Sequence, residues 1–520
     1  MKGLLATGIF AAAFATGIAT VCGADDADTL FRIQHAGAIK VMADPAAARL
    51  KTIWTLPTTE ELRRHSIRMF AEKLPAWMGL AGAAANTNHA ALLQPILEDL
   101  LAYPSMLEAG GTKAAPVFMA AAQLPKEQAA GWKKAAEQLK GIYRGQVATD
   151  QSGDLMMLVM GPESSAHLKK WRGQLKNGMP KLPGARYMDA TINLSRLDIG
   201  LKGNLPIARL ACSARSEGVF WEGTFTFQQP LDWKPDPWRI PTNSILEPVI
   251  SFTAANGLRP LLSSWEPFKE MQLPETPNQL CLWASGSMPF MVHAAAPLRS
   301  VTNTLQQIAL NLPPLLVKHH IASNVGTFFW ISNRAEFFWR GLPVMQPNLI
   351  PLREPAGDFI LGSLFFYNPR GKPAPADLFA QLYGRTNMVY YDWEITQERL
   401  LQWNQLYVFL PLFTEARAIP NHLLGQRWLT NAAPHLGNIV TAITYVSPTE
   451  LKLVRQGHIG LTAFELTRLA RWLDMLDKPA NYGRLPTPSQ RRAPAVPPAN
   501  TPPDSTKPSA QPPTGGQQKR

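Results

Sequence analysis

Two hydrophobic periods are interleaved along this chain. Residues 29–33 read as a short strand, while 59–70 sets Leu62, Ile67 and Phe70 among charges at helical spacing. Leu92, Leu93, Ile96, Leu97 and Leu100 then repeat at the three-and-four spacing of a buried helical stripe. Residues 117–124 predict a strand, 126–139 an amphipathic helix, 155–160 a strand and 167–175 a helix. Alternation over 190–199, 207–214 and 219–227 predicts three further strands, the last two joined by a short turn. Helices mixed with hairpins indicate an α+β fold with a largely antiparallel sheet.

Pro230, Pro235, Pro237 and Pro241 crowd the next segment, which places a domain boundary at 232/233 and divides the body into 25–232 and 233–478. The second half follows a similar order: a helix over 258–271 and a strand over 279–284, as the helix near 91 precedes the strand near 117. Arg259-Pro260-Leu261-Leu262 echoes Gln94-Pro95-Ile96-Leu97, so a duplicated unit is expected. A helix over 301–312, a hairpin of 327–331 with 335–339, a strand over 359–367, a helix over 375–383, a strand over 388–395 and a helix from 397 complete the pattern. The body ends in a hairpin, 439–446 with 451–455, and a helix opened by the capping box Thr462-Ala463-Phe464-Glu465. Leu466, Leu469, Ala470 and Leu473 mark its core face.

The two ends have a different composition. Lys2 precedes an uncharged run from 3 to 21 closed by Cys22-Gly23-Ala24, the layout of a secretory signal peptide over residues 1–24. Export places the mature chain in the periplasm or outside the cell; a lipoprotein anchored through Cys22 and a retained membrane anchor are the alternatives. Residues 479–520 are rich in Pro, Ser, Thr and Gln, a composition that buries too little apolar surface to offset its ordering entropy. This segment is expected to be an extended tail, either inert or a tether to an anionic membrane or wall. Of the net charge of +13, the leader and the tail carry six, which leaves a mildly basic body. Nucleic acid is not an expected partner of an exported chain. Cys212 and Cys281 remain after processing. They are either one disulfide, worth about 4 kcal/mol by loop closure, or two buried thiols.

Candidate chemistry is sparse. The phosphate loop, His-Glu-x-x-His, Cys-x-x-Cys and Gly-x-Ser-x-Gly patterns are absent. On the strand 388–395, Tyr390, Asp392 and Glu394 share one face and Tyr391, Trp393 and Ile395 the other. A carboxylate pair beside a tyrosine is suited to acid and base work on a glycoside, so these three are the candidate catalytic residues. A solvated strand face, or carboxylates placed for the positive end of a helix, accounts for them equally in kind. His319-His320 would need His293, His435 or His458 to hold a metal, and no metal or cofactor is expected. Phe328, Phe329, Trp330, Phe337, Phe338 and Trp339 crowd one hairpin, as core packing or as a platform for sugar or a partner protein.

The stretch Met388-Val389-Tyr390-Tyr391-Asp392-Trp393-Glu394-Ile395-Thr396, with Leu436-Gly437-Asn438, Ser447-Pro448-Thr449-Glu450-Leu451 and Gly460-Leu461-Thr462-Ala463-Phe464-Glu465-Leu466, resembles uncharacterised exported bacterial envelope proteins. The likeness covers mainly 388–473, with an echo at 28–33. It implies an envelope protein and carries no activity and no site. The expectation is a non-catalytic binding or scaffolding protein with an unidentified envelope partner. An exported hydrolase of glycan or wall polymer is the alternative.

Overall fold

The computed structural model describes residues 29–80, 88–111, 115–197, 203–215, 218–286, 288, 291–318, 326–342, 345–365, 367, 370–409 and 423–475. The expected leader, the tail and His319-His320 lie outside them. The described residues belong to one compact unit and form a mixed α+β fold built on a single antiparallel sheet.

The first half supplies β1 (Thr29–His35), β2 (Ser105–Gly111), β3 (Pro116–Gln123), β4 (Val147–Ser152), β5 (Leu155–Met160), β6 (Arg186–Asn193), β7 (Ile207–Arg215) and β8 (Gly218–Thr226). The second supplies β9 (Val249–Asn256), β10 (Gln279–Ser285), β11 (Val292–Pro297), β12 (Thr327–Ile331), β13 (Glu336–Arg340), β14 (Asn348–Glu354), β15 (Gly357–Ser363), β16 (Met388–Ile395), β17 (Asn438–Ser447) and β18 (Glu450–Gly457). The helices are α1 (Ala38–Ala43), α2 (Ala48–Trp54), α3 (Pro57–Trp77), α4 (His89–Ala102), α5 (Lys126–Ile142), α6 (Ser164–Gln174), α7 (Arg259–Ser264), α8 (Glu266–Glu270), α9 (Val301–Lys318), α10 (Asp377–Ala380), α11 (Thr396–Phe409), α12 (Leu424–Ala432) and α13 (Ala463–Met475).

From edge to edge the first half contributes β4, β5, β3, β2, β1, β6, β7 and β8. The second continues with β18, β17, β16, β9, β10, β11, β15, β14, β13 and β12. The halves meet where β8 pairs with β18, with Glu222 opposite Val454 and Gly223 opposite Leu453. The strand ladder is therefore continuous across the halves that the proline cluster separates in sequence.

Both faces are covered towards the ends of the sheet. Over β3 and β5, Leu93, Ile96 and Leu100 of α4 and Trp132, Ala136 and Leu139 of α5 pack on Phe118, Ala120, Met156 and Leu158. On the opposite face Trp171 of α6 packs on Val117, Met119, Met157 and Val159. All six side chains of β5 are consequently buried, which is why its sequence, LMMLVM, does not alternate. In the second half, Ile240, Ile245, Phe379 and Leu382 cover Phe252, Cys281, Trp283 and Leu361. The expected helix over 258–271 is two short ones, broken at Trp265, which is extended and caps the second, with Pro267 in its first turn. The expected helix over 375–383 shortens to α10.

At the seam Leu453 is buried with Trp221, Leu210 and Ile443. Leu453→Ala is expected to cost about 2–5 kcal/mol by cavity formation. Unfolding in denaturant should remain one transition, since the residue bridges strands from both halves; two separated transitions would show that the halves melt independently.

Candidate functional site

Tyr390, Asp392 and Glu394 do share one face of β16, and that face lies beneath helices. The same face of neighbouring strands presents Thr253 beside Asp392, Thr441 beyond it and Arg455 beyond that, one residue per strand in a cross-strand row. Asp392 and Glu394 are 8% and 5% exposed. Trp393, pointing to the other side, lines a surface hollow with Glu247, Lys372 and Asp377; neither carboxylate of the pair reaches it.

Each carboxylate has a bonding role. The Thr253 hydroxyl donates to Asp392 Oδ1. Glu394 Oε1 accepts from the Ala463 amide at 2.6 Å, so this side chain serves the exposed N–H groups at the start of α13. The capping box completes that end: the Thr462 amide donates to Glu465 Oε2 at 2.8 Å, and the Glu465 amide donates to Thr462 Oγ1 at 3.3 Å. Arg455 then donates to Glu465 Oε2 at 2.7 Å, to Thr441 Oγ1 at 2.9 Å and to the Gly460 carbonyl at 3.3 Å. Gly460 has φ of 70° and no space for a Cβ, because the Trp221 indole lies 2.2 Å from where that atom would be. The turn before α13 is thus fitted against the seam strand β8.

Arg399 of α11 is buried nearby, donates to Gln402 Oε1 at 2.6 Å and lies over the Trp403 ring. Three carboxylates, Asp392, Glu394 and Glu465, therefore share a sealed layer with two guanidiniums, Arg399 and Arg455. Burial, then the neighbouring Asp392 charge, push Glu394 up to about 7, partly opposed by the Ala463 amide and Arg399. Burial and the Asp392 charge likewise hold the Tyr390 hydroxyl well above the usual tyrosine value. Burial lowers Arg399, against the pull of Glu394 and Asp392. A proton on Glu394 brings the cluster towards charge balance without solvent.

The other candidate residues are dispersed. Cys212 on β7 and Cys281 on β10 are buried thiols in separate core clusters, so the disulfide alternative is not realised; burial pushes the Cys212 thiol up to about 12. His293 is buried on β11 with Nδ1 2.8 Å from Ser363 Oγ, and burial lowers it to about 4. His458 Nδ1 lies 3.1 Å from the His435 carbonyl. Among the described residues no three His, Cys, Asp or Glu side chains converge as metal ligands.

A further surface, marked by no sequence motif, lies around the seam. On the face opposite the charge cluster, polar side chains of β1, β6, β7, β8 from Glu222 onward, β18 and β17 alternate with the buried ones, and among the described residues no helix lies over them. One cross-strand row reads Arg32, Thr191, Arg209, Thr224, Lys452, Thr444. Arg32 is held by Glu108 at 2.7 Å, whereas Arg209 and Lys452 are exposed. The next row brings Asp189, Ala211, Glu222 and Val454 together. Six strands at about 4.8 Å spacing make this face about 24 Å wide between its outer strands. Its signal in the sequence was the polar half of the alternation in 207–214 and 219–227. Comparison with protein-family models, curated proteins and solved structures finds no match to the chain.

Two consequences can be measured. Arg455→Ala leaves Glu465 buried and uncompensated and should cost about 3–5 kcal/mol in denaturant unfolding, while Arg455→Met with Glu465→Gln should recover much of that loss. For Glu394 the native state binds the proton more tightly than the unfolded chain. Its contribution to stability is therefore full below the ordinary carboxylate value and is lost as pH rises towards about 7. Glu394→Gln, which keeps an acceptor for the Ala463 amide, should flatten stability against pH between about 4.5 and 7; an unchanged slope would show that Glu394 titrates normally.

Proposed function

We propose that the chain is an exported bacterial envelope protein that binds or scaffolds an envelope component without chemistry of its own, through the open sheet face that spans the β8–β18 seam. The observation that carries this reading is that face itself, polar, uncovered among the described residues across six strands, four of them from the first half and two from the second. A folded domain that leaves so wide a sheet face without a helix layer presents a ready contact surface. Mixed charge, with Arg209 and Lys452 among Asp189, Glu222 and threonines, fits a polar protein surface better than a polyanion. The basic, proline-rich segment 479–520 would aid retention at an anionic membrane or wall.

The surface gains from a duplication, which we include in the proposal. In each half the first three strands form a run, β1-β2-β3 or β9-β10-β11. The third then pairs with a later strand, β5 or β15, and the first pairs on its other side with β6 or β16, followed by β7-β8 or β17-β18. Helices α5 and α9 follow the third strand of each set, and α6 and α10 precede the returning one. Antiparallel pairing of the last strands relates the sets by an approximate two-fold axis through the seam. This alignment matches β10 to β2, not to the strand near 117 as the sequence order suggests, because β2 (SMLEAGG) with its glutamate and terminal glycines does not read as a strand.

The hydrolase alternative requires Asp392 and Glu394 to meet a substrate, and the geometry gives both of them internal partners instead. The proposed reading is tested by crosslinking pull-down from intact envelopes with the mature chain, an Arg209→Glu/Lys452→Glu variant and a chain ending at Lys478. The expected result is one discrete partner, captured at least about tenfold less by the charge-reversal variant and still captured by the shortened chain. Equal capture by the charge-reversal variant, or no discrete partner from any chain, would overturn it.

A further inference from the structure

The two edges of the sheet are unlike. At one edge, β4 ends in Thr149-Asp150-Gln151-Ser152, and Asp150 is bonded to Arg172 of α6 at 3.1 Å. Charged and polar residues of this kind are how natural sheets prevent edge-to-edge pairing. At the other edge, β12 reads Thr327-Phe328-Phe329-Trp330-Ile331, with no charge, proline or glycine, and its register with β13 is uninterrupted. Among the described residues β12 pairs with β13 only. This edge belongs to the hairpin β12–β13, which has no counterpart among the described strands of the first half.

Its two faces are built differently. Phe328 and Trp330 point to the side of α9, where Phe328 stacks on Phe337 at 5.7 Å and meets Trp339 at 4.9 Å, and Trp330 joins the core beneath the helix. Phe329 points to the other side, is 43% exposed and lies under the Arg340 guanidinium. Above the hairpin, α9 leaves Leu310 and Val317, two turns apart, 61% and 53% exposed. Backbone donors and acceptors, an exposed ring and an exposed aliphatic stripe thus lie together at one margin.

We infer that β12 is a self-association edge and that its occupant is β12 of a second copy of this chain, paired antiparallel about Phe329. Three features favour a second copy over another strand. The sequence is self-complementary in this register: Phe329 faces Phe329, Phe328 faces Trp330, Thr327 faces Ile331, and no like charges oppose. Charge at the flanks is compatible, since Glu336 is paired with Ile331 and Arg340 with Thr327, which puts Glu336 of one copy and Arg340 of the other in a common cross-strand row, three strand spacings or about 14 Å apart at the backbone. The arrangement also repeats, at the outer margin, the two-fold antiparallel junction by which β8 and β18 already join. The product is an isologous dimer with one uninterrupted sheet, and the seam faces of both copies lie on the same side of it.

The test uses light scattering and sedimentation of the full mature chain over a range of concentrations. The wild type is expected to dimerise, and Phe329→Lys and Phe329→Asp each to be monomeric, because each sets like charges against one another across the axis. An equimolar mixture of the two variants should recover dimer, since Lys then faces Asp. Circular dichroism matching the wild type shows that either variant is folded. A monomeric wild type, or a dimer that persists in both variants, or folded variants that stay monomeric when mixed, would each overturn the inference.

Discussion

The antiparallel pairing of β8 with β18 is the constraint on which the other features depend. It joins strands more than two hundred residues apart in sequence, so the chain closes a very long loop to make it, at an entropic cost that grows only slowly with length. What offsets that cost is local: Leu453, Trp221, Leu210 and Ile443 are buried together on one side of the pairing. On that same side Trp221 stands opposite Arg455 and fills the space a side chain at Gly460 would take. The seam, the turn before α13 and the buried ion pair are therefore one packed unit.

The buried charges explain why the carboxylates of β16 resemble a catalytic pair in sequence. A strand face that meets a helix N-terminus needs acceptors, and Glu394 supplies one to Ala463 while Glu465 closes the capping box and receives Arg455. Removing charges from water is costly unless every one is bonded, so such a cluster specifies one arrangement of strand and helix more than it adds stability. The excess of one carboxylate over the guanidiniums then appears as the raised Glu394. Among the described residues no helix covers the opposite face of the seam, and the contact surface proposed here is the other side of the same construction.

Much of this was legible locally. The strand 388–395, its two faces, the hairpin ahead of α13 and the threonine-to-glutamate cap followed from period and spacing, because those signals are set by residues within one turn or one pleat. What covers a face was not, since α13 reaches β16 from nearly seventy residues further along the chain and the side to which α11 folds back is not set by its own sequence. Strands without alternation were also missed: β9 (VISFTAAN) and β11 (VHAAAP) are packed on both sides or rich in alanine, and β14 carries Pro351 within its ladder. The proposed duplication shows in the sequence only as a vague recurrence, because pairing order is a property of the folded sheet.

Hydrogen exchange of the native chain tests the continuous sheet most directly. The paired amides of β8 and β18 are expected to exchange only through global unfolding and to be among the slowest in the molecule, together with those of β7 and β17. Seam amides that exchange faster than both neighbouring strands, through a local opening that leaves β7 and β17 protected, would contradict it.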